Sequence, residues 1–137
     1  MIKAIGIALT GLNAATKRLD ASAANIANLK IAGSPEEGKQ APYTPREVRQ
    51  STVMGENGGA NGVNVQIISA NKPFVPVYDP DSPFADESGI IGIPNINPAE
   101  EIINMKLAEY SFKANAAVIR TGAEMGDELL RIFDKKV

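Results

Sequence analysis

The chain is 137 residues long, the size of one domain, and carries a formal charge of −2 with a pI near 5.2; nucleic acid, which needs a clustered basic face, is excluded as a partner. It contains no Cys and no His, which removes disulfides, thiolate nucleophiles, Ser–His pairs and the common zinc sites together. Aromatics are only 5% and all nine prolines fall between Pro35 and Pro98, so two proline-free flanks surround a proline-rich middle.

In the first flank Ile2, Ile5, Leu9, Leu12, Thr16, Leu19, Ala23 and Ile26 follow alternating steps of three and four, an a/d seam over nearly four heptads. Lys3, Lys17, Arg18 and Asp20 fall off it. The spacing predicts a helix to Asn28, roughly 42 Å long at about 1.5 Å per residue, ending before Gly33, Ser34 and Pro35. Lys3 and the apolar run after it resemble a short signal peptide, but a signal core is apolar all round, whereas this heptad pattern runs straight through the cleavage region. No stretch approaches the roughly 18 to 20 apolar residues of a membrane span. The late segment ASAANIAN, residues 21–28, thins the seam to methyl groups and amides, with Asn28 placed to help end the helix.

The middle, residues 33–97, changes character. Val63-Asn64-Val65-Gln66-Ile67 alternates apolar and polar, residues 74–78 are apolar but carry Pro76, and residues 90–93 form a short apolar run; all three read as strands of a small β-containing insert. The glycine-rich GENGGANG, residues 55–62, reads as a mobile hairpin tip with turn dipeptides at Asn57-Gly58 and Asn61-Gly62.

The last flank opens on Asn97-Pro98-Ala99-Glu100. An N-cap Asn, Pro at the first helical position and Glu at the third make a capping arrangement, and Glu100 and Glu101 suit the positive end of the dipole. Leu107, Tyr110, Ala114, Val118, Thr121, Met125, Leu129 and Ile132 then recur with an eleven-residue repeat, giving a nearly straight or slightly right-handed stripe, and Lys135-Lys136 suit the negative end.

The fold class expected is mainly α with a small β-containing insert. A helix of residues 1–32 and a helix of residues 98–137 pair as an elongated coiled-coil core, with the β/loop insert of residues 33–97 between them. Two helices alone bury little, and the alanines at 14, 15, 21, 23, 24 and 27 permit close approach by further helices, so the pattern predicts lateral assembly.

No constellation for catalysis or cofactor binding emerges, and no small-molecule substrate is expected. DPDSPFADESG, residues 79–89, concentrates Asp79, Asp81, Asp86 and Glu87 but puts Phe84 and Ile90 where an EF-hand needs Gly and Glu; it reads as a solvated acidic loop. The glycines at 55, 58, 59 and 62 lack the G-K-[ST] of a phosphate loop. The carboxylates of the last helix interleave with Lys106, Lys113, Arg120 and Arg131 as a mixed-charge solvated face. Tyr110 lies on the seam and reads as packing.

The segment ALTGLNAATKRLDASAANIAN, residues 8–28, resembles the shared N-terminal signature of bacterial flagellar rod and hook proteins. Tyr110, Ala114, Asn115 and the following VIRTGAEMGDELLRI resemble the C-terminal signature of the same family. Residues 78–105, which contain G-x-x-x-x-P-N at residues 89–95, are similar to the stretch peculiar to its proximal-rod members. Residues 29–43, LKIAGSPEEGKQAPY, lack the Thr and Gly-Tyr turn common at that point in the family.

The resemblance implies a structural subunit exported unfolded, without a cleaved signal peptide, through the flagellar type III export apparatus and stacked helically in the periplasmic rod. Both helices would form the inner coiled-coil layer around the export channel. Partners would be copies of itself, the other rod proteins, and the membrane-ring and export-gate base; no cofactor and no enzymatic role are implied. The expected interface residues are Ile5, Leu9, Leu12, Leu19, Ala24, Asn25, Ile26, Ala27 and Asn28 on the first helix. On the second they are Leu107, Tyr110, Ala114, Asn115, Val118, Met125, Leu129 and Ile132. A small homo-oligomeric coiled-coil adaptor is the alternative that the heptads alone allow.

Overall fold

The computed structural model describes residues 2–55 and 58–134. Two long helices, α1 (Ile2–Ala27) and α2 (Pro98–Asp134), flank four strands: β1 (Arg46–Met54), β2 (Ala60–Ser69), β3 (Phe74–Tyr78) and β4 (Ile90–Pro94). The strands form two antiparallel hairpins, β1 with β2 from Arg46↔Ser69 to Met54↔Ala60, and β3 with β4 from Phe74↔Pro94 to Tyr78↔Ile90.

Local chemistry accounts for the ends of the helices. Ala99 donates its N–H to the Asn97 side chain at 3.1 Å and Glu101 donates to the Asn97 carbonyl at 3.1 Å, so the expected cap starts α2. At the end of α1 the Asn28 backbone makes the last i→i−4 bond to the Ala24 carbonyl at 3.1 Å and its side chain adds a second donor to the same oxygen at 2.7 Å, using the acceptor's other lone pair.

Pro76 survives inside β3 for a geometric reason. It stands opposite Gly92, whose own N–H and C=O bond away from β3 to Gly33 at 2.8 and 3.0 Å. The Pro76–Gly92 pair is therefore one where no ladder bond is required, and the missing proline N–H costs nothing.

The strand β1 has no counterpart in the sequence reading. Its residues REVRQSTVM are almost all exposed, with only Val48 half-buried, so no apolar alternation marks it; pairing with β2 makes it a strand. Asn61-Gly62 lies inside β2 rather than in a turn. The described part of the hairpin tip is closed by Gly55 N–H to the Gly59 carbonyl at 2.8 Å. The expected turn dipeptide Asn57-Gly58 and the terminal Lys135-Lys136 involve residues outside those described.

The helices lie side by side and antiparallel. Asn25 meets Glu101 near one end, a side chain at Gly11 would meet Asn115, and one at Gly122 would meet Ile5. Apart from Ile5, which lies on the predicted stripe and meets α2 at Gly122, the faces that meet are offset from the predicted stripes. On α1 the buried or half-buried positions toward α2 are Ala8, Gly11, Ala15, Ser22 and Asn25; on α2 they are Glu101, Asn104, Ala108, Asn115, Ile119 and Gly122. Each runs one residue, about 100°, from the apolar seam.

Leu9 is 59% exposed, and Leu107, Tyr110, Val118 and Met125 are all exposed. The reason is distance: Ala and Gly let the backbones approach in a way that a Leu-lined seam would prevent. The alanines at 14, 15 and 21, expected to admit further helices, are instead buried within the chain, as are Ala8 and Ala108.

α1 is enclosed on a second side by the first hairpin. Thr10 Oγ1 accepts from the Val63 N–H at 3.1 Å and Lys17 Nζ reaches the Val65 carbonyl at 3.5 Å. Gly62, at φ 118° and buried, leaves no room beside the Thr10 side chain. Because Ile5 is level with Gly122, the last roughly 10 residues of α2 extend beyond α1 by about 15 Å. There Met125, Leu129, Leu130, Ile132 and Phe133 are 53–65% exposed.

Two glycines test this packing in opposite directions. A Cβ on Gly6 meets nothing, so Gly6→Ala should raise stability by about 1 kcal/mol through helix propensity. A Cβ on Gly33 collides with the backbone of Ala41 and Pro42, so Gly33→Ala should lower it by about 1–3 kcal/mol. Urea unfolding of the two variants checks both signs.

Candidate functional site

ASAANIAN resolves into two asparagines with different roles. Asn25 is 1% exposed, the largest fully buried side chain among the described residues. Its Nδ2 donates to the Arg46 carbonyl at 2.9 Å and to Glu101 Oε1 at 2.7 Å. Its Oδ1 accepts from the Arg46 N–H at 2.8 Å and from the Tyr43 hydroxyl at 3.1 Å. An amide has two donor hydrogens and two acceptor lone pairs, and all four are used.

Toward Arg46 the side chain acts as a peptide group would, exchanging both bonds with the residue that opens β1. Asn25 thus joins α1, the segment entering β1, and the first turn of α2. A polar cavity of about 420 Å³ beside it is lined by Arg18, Ser22, Arg46, Glu100 and Asn104, among others.

Asn25, expected at an interface, makes all four of its bonds within its own chain. Asn28 bonds its own helix. Asn115 is half-buried, donates to the Ser111 carbonyl at 2.8 Å, and lies over Gly11. What the sequence missed at this site is Tyr43, Arg46 and Glu101; only the position of Glu101 in the first turn of α2 was noticed, as a dipole partner.

The other expected interface residues are mostly outside. Leu9, Leu19, Leu107, Tyr110, Val118, Met125, Leu129 and Ile132 are exposed, as are Ala27 and Ala114, while Ile5, Leu12, Ala24 and Ile26 are half-buried. Leu19 opens with Ile102, Met105 and Phe112 onto an apolar groove of about 570 Å³ between the helices. Ile5, Val118 and Met125 line another of about 580 Å³.

Glu109 sits on the rim of the first groove and accepts from Lys113 at 2.6 Å and Lys106 at 2.9 Å. The hydrogen bond from Lys113, then that from Lys106, holds its carboxyl down to about 2. In the acidic loop Asp86 Oδ1 accepts from the N–H groups of Ser88 and Ile90, both at 2.8 Å, so it shapes the β3–β4 turn. Among the described residues no three such groups cluster as metal ligands, and no helix is long and apolar enough to cross a membrane.

The geometry is that of a packing unit: a buried polar junction at one end and apolar grooves and stripes facing outward. Comparison with known proteins agrees. Residues 87–132 match the family model for the C-terminal region of flagellar basal body rod FlgEFG proteins. Over 98% of both chains, the sequence is 31% identical to the flagellar basal-body rod protein FlgC of Buchnera aphidicola subsp. Acyrthosiphon pisum. The chain belongs to the FlgC family of flagellar basal-body rod proteins.

The FlgC of Borreliella burgdorferi is also 31% identical over 97% of both chains, and that of Salmonella typhimurium is 31% identical over 91% of this chain and 92% of its own. Likeness to FlgC thus extends through both helices and the insert. The role of the chain is accordingly structural, as a subunit of the flagellar basal-body rod.

Two measurements follow. Asn25→Leu leaves the Arg46 N–H and C=O and the Tyr43 hydroxyl without their partner, and should cost about 3 kcal/mol in urea unfolding; Asn25→Asp, which sets a second carboxylate against Glu101, should be no better. For Glu109 the folded-state pKa is depressed, so its contribution is complete above the ordinary value of 4.5 and is lost as pH falls through about 2. Carboxyl chemical shifts at low salt should show that low midpoint, rising toward the ordinary value in concentrated salt, because the site is exposed.

Proposed function

We propose that the chain assembles helically, with copies of itself and with the other rod proteins, into a tube around the export channel that transmits torque as part of a drive shaft. The observation that carries this reading is the inversion of the helix pair: small and polar residues between α1 and α2, large apolar ones outside. Exposed apolar side chains that would be buried in a self-sufficient domain are free to bury area against neighbouring helices.

In the assembled rod, the helices form coiled-coil contacts across subunits in the inner layer, and the hairpins pack outward. The interface is carried by Leu9, Leu12 and Leu19 of α1 and by Leu107, Val118, Met125, Leu129 and Ile132 of α2. The grooves beside the pair are lined by Ile5, Leu19, Val118 and Met125, which supports their use as docking surfaces.

The chain reaches the periplasm through the flagellar type III apparatus without a cleaved signal. The rod it builds contacts the membrane ring and the export-gate base. The subunit catalyses nothing and holds no cofactor.

Replacing Leu107, Val118 or Met125 with Glu should abolish filament assembly and motility in a host lacking its own copy, while the isolated variants melt within about 2 °C of the parent because these positions are exposed. Ala27→Leu should impair rod formation and leave export intact. Normal swimming by the stripe variants, or failure of the chain to co-purify with detergent-extracted basal bodies, would overturn the assembly reading.

A further inference from the structure

We propose that Asn25 sets the register of α1 against α2, so that one buried amide decides which apolar side chains stand together on the outside of the helix pair. The rest of the contact line specifies register by size alone. Gly11 accommodates the Asn115 side chain and Gly122 the Ile5 side chain, while Ala8, Ala15, Ser22 and Ala108 are small; a slip of one turn, about 5.4 Å, sets Gly11 against Ser111 or Ile119 instead. Contacts of this kind carry no directional requirement.

Asn25 is different because its requirements are directional. Two of its bonds go to Arg46 and one comes from Tyr43, which fixes the amide relative to the insert. The remaining Nδ2 hydrogen then points to one place on α2, where Glu101 Oε1 receives it at 2.7 Å. A carboxylate acceptor makes a charge-assisted bond, roughly twice as strong as a neutral one.

Sliding α2 by one turn brings Met105 or the neutral amide of Asn104 to that place and removes the carboxylate. A single buried asparagine fixing register between helices is the best-attested use of such a group. Here the pairing is within one chain and is tied to a β-hairpin as well.

Register matters beyond the junction. Ile5 stands level with Gly122, and a turn of slip would change the length of the α2 overhang and move its stripe past Leu9 and Leu19. The effect on assembly rests on the reading above; the register itself is a property of the isolated chain and is tested there.

The chain has no native Cys, so engineered pairs are clean reporters in the full-length protein. The pair Gly11→Cys with Asn115→Cys reports the observed register; Gly11→Cys with Ile119→Cys, and with Ser111→Cys, each carrying Asn115→Ala so that the new Cβ has room, report slips of one turn either way. A slip moves Cα atoms beyond the separation a disulfide can span, so with Asn25 intact the first pair should oxidise at least about tenfold faster than the others.

Asn25→Leu should bring the three pairs within about threefold of one another while the helical signal in circular dichroism persists. Retention of the tenfold preference in Asn25→Leu, with only a lower melting temperature, would overturn the proposal and leave Asn25 as a stabilising residue alone. Where Asn25→Leu loses its helical signal, Glu101→Leu is read in the same pairs with the same two outcomes, since it removes the α2 acceptor and leaves the bonds to Arg46 and Tyr43.

Discussion

A fully buried amide tolerates very few surroundings, because every donor and acceptor it carries must be met without water. Asn25 meets that condition by drawing in the residue that opens β1, the Tyr43 hydroxyl and a carboxylate from the first turn of α2. Three pieces of chain distant in sequence are thereby fixed at one point. From there the first hairpin lies along α1, with Thr10 and Lys17 meeting β2 at Val63 and Val65, and α2 runs back antiparallel along α1.

The apolar side chains buried on the two helices are all alanines among the described residues: Ala8, Ala14, Ala15, Ala21 and Ala108. The larger buried ones, Pro42, Pro45, Val65, Ile91 and Pro94, lie outside the helices. Each buried methyl contributes on the order of 1 kcal/mol, against a backbone ordering cost of similar size per residue. A helix pair built this way relies on close backbone approach and a polar junction, with its large apolar side chains half-buried or exposed. Its large apolar residues remain available to neighbours, and that is the arrangement a structural rod subunit requires.

The sequence marked the elements whose cause is local. Asn97 and Pro98 started α2, Asn28 closed α1, and alternation identified β2, because caps and periodicity act over a few residues. β1 was invisible, since its side chains are nearly all solvated and only the partner strand makes it extended. The acidic loop also gave a local answer: Asp86 is used by two backbone N–H groups, the ordinary role of Asp in a turn. Asn25 was noticed within ASAANIAN, beside the thinned end of the seam, but Tyr43, Arg46 and Glu101 could not be assigned to it from spacing, because they lie 18, 21 and 76 residues away.

By itself the sequence determined that two amphipathic helices flank a small β insert, that no thiol or imidazole chemistry is present, and that apolar surface would be left over for neighbours. Only the tertiary structure decided which face of each helix turns inward. Periodicity finds the stripe richest in large apolar groups, whereas two backbones approach most closely where side chains are smallest, and in this chain the two stripes are adjacent, one residue apart. Most of the large residues therefore stay outside, and the amide beside the thinned end of the seam is the group around which the chain closes.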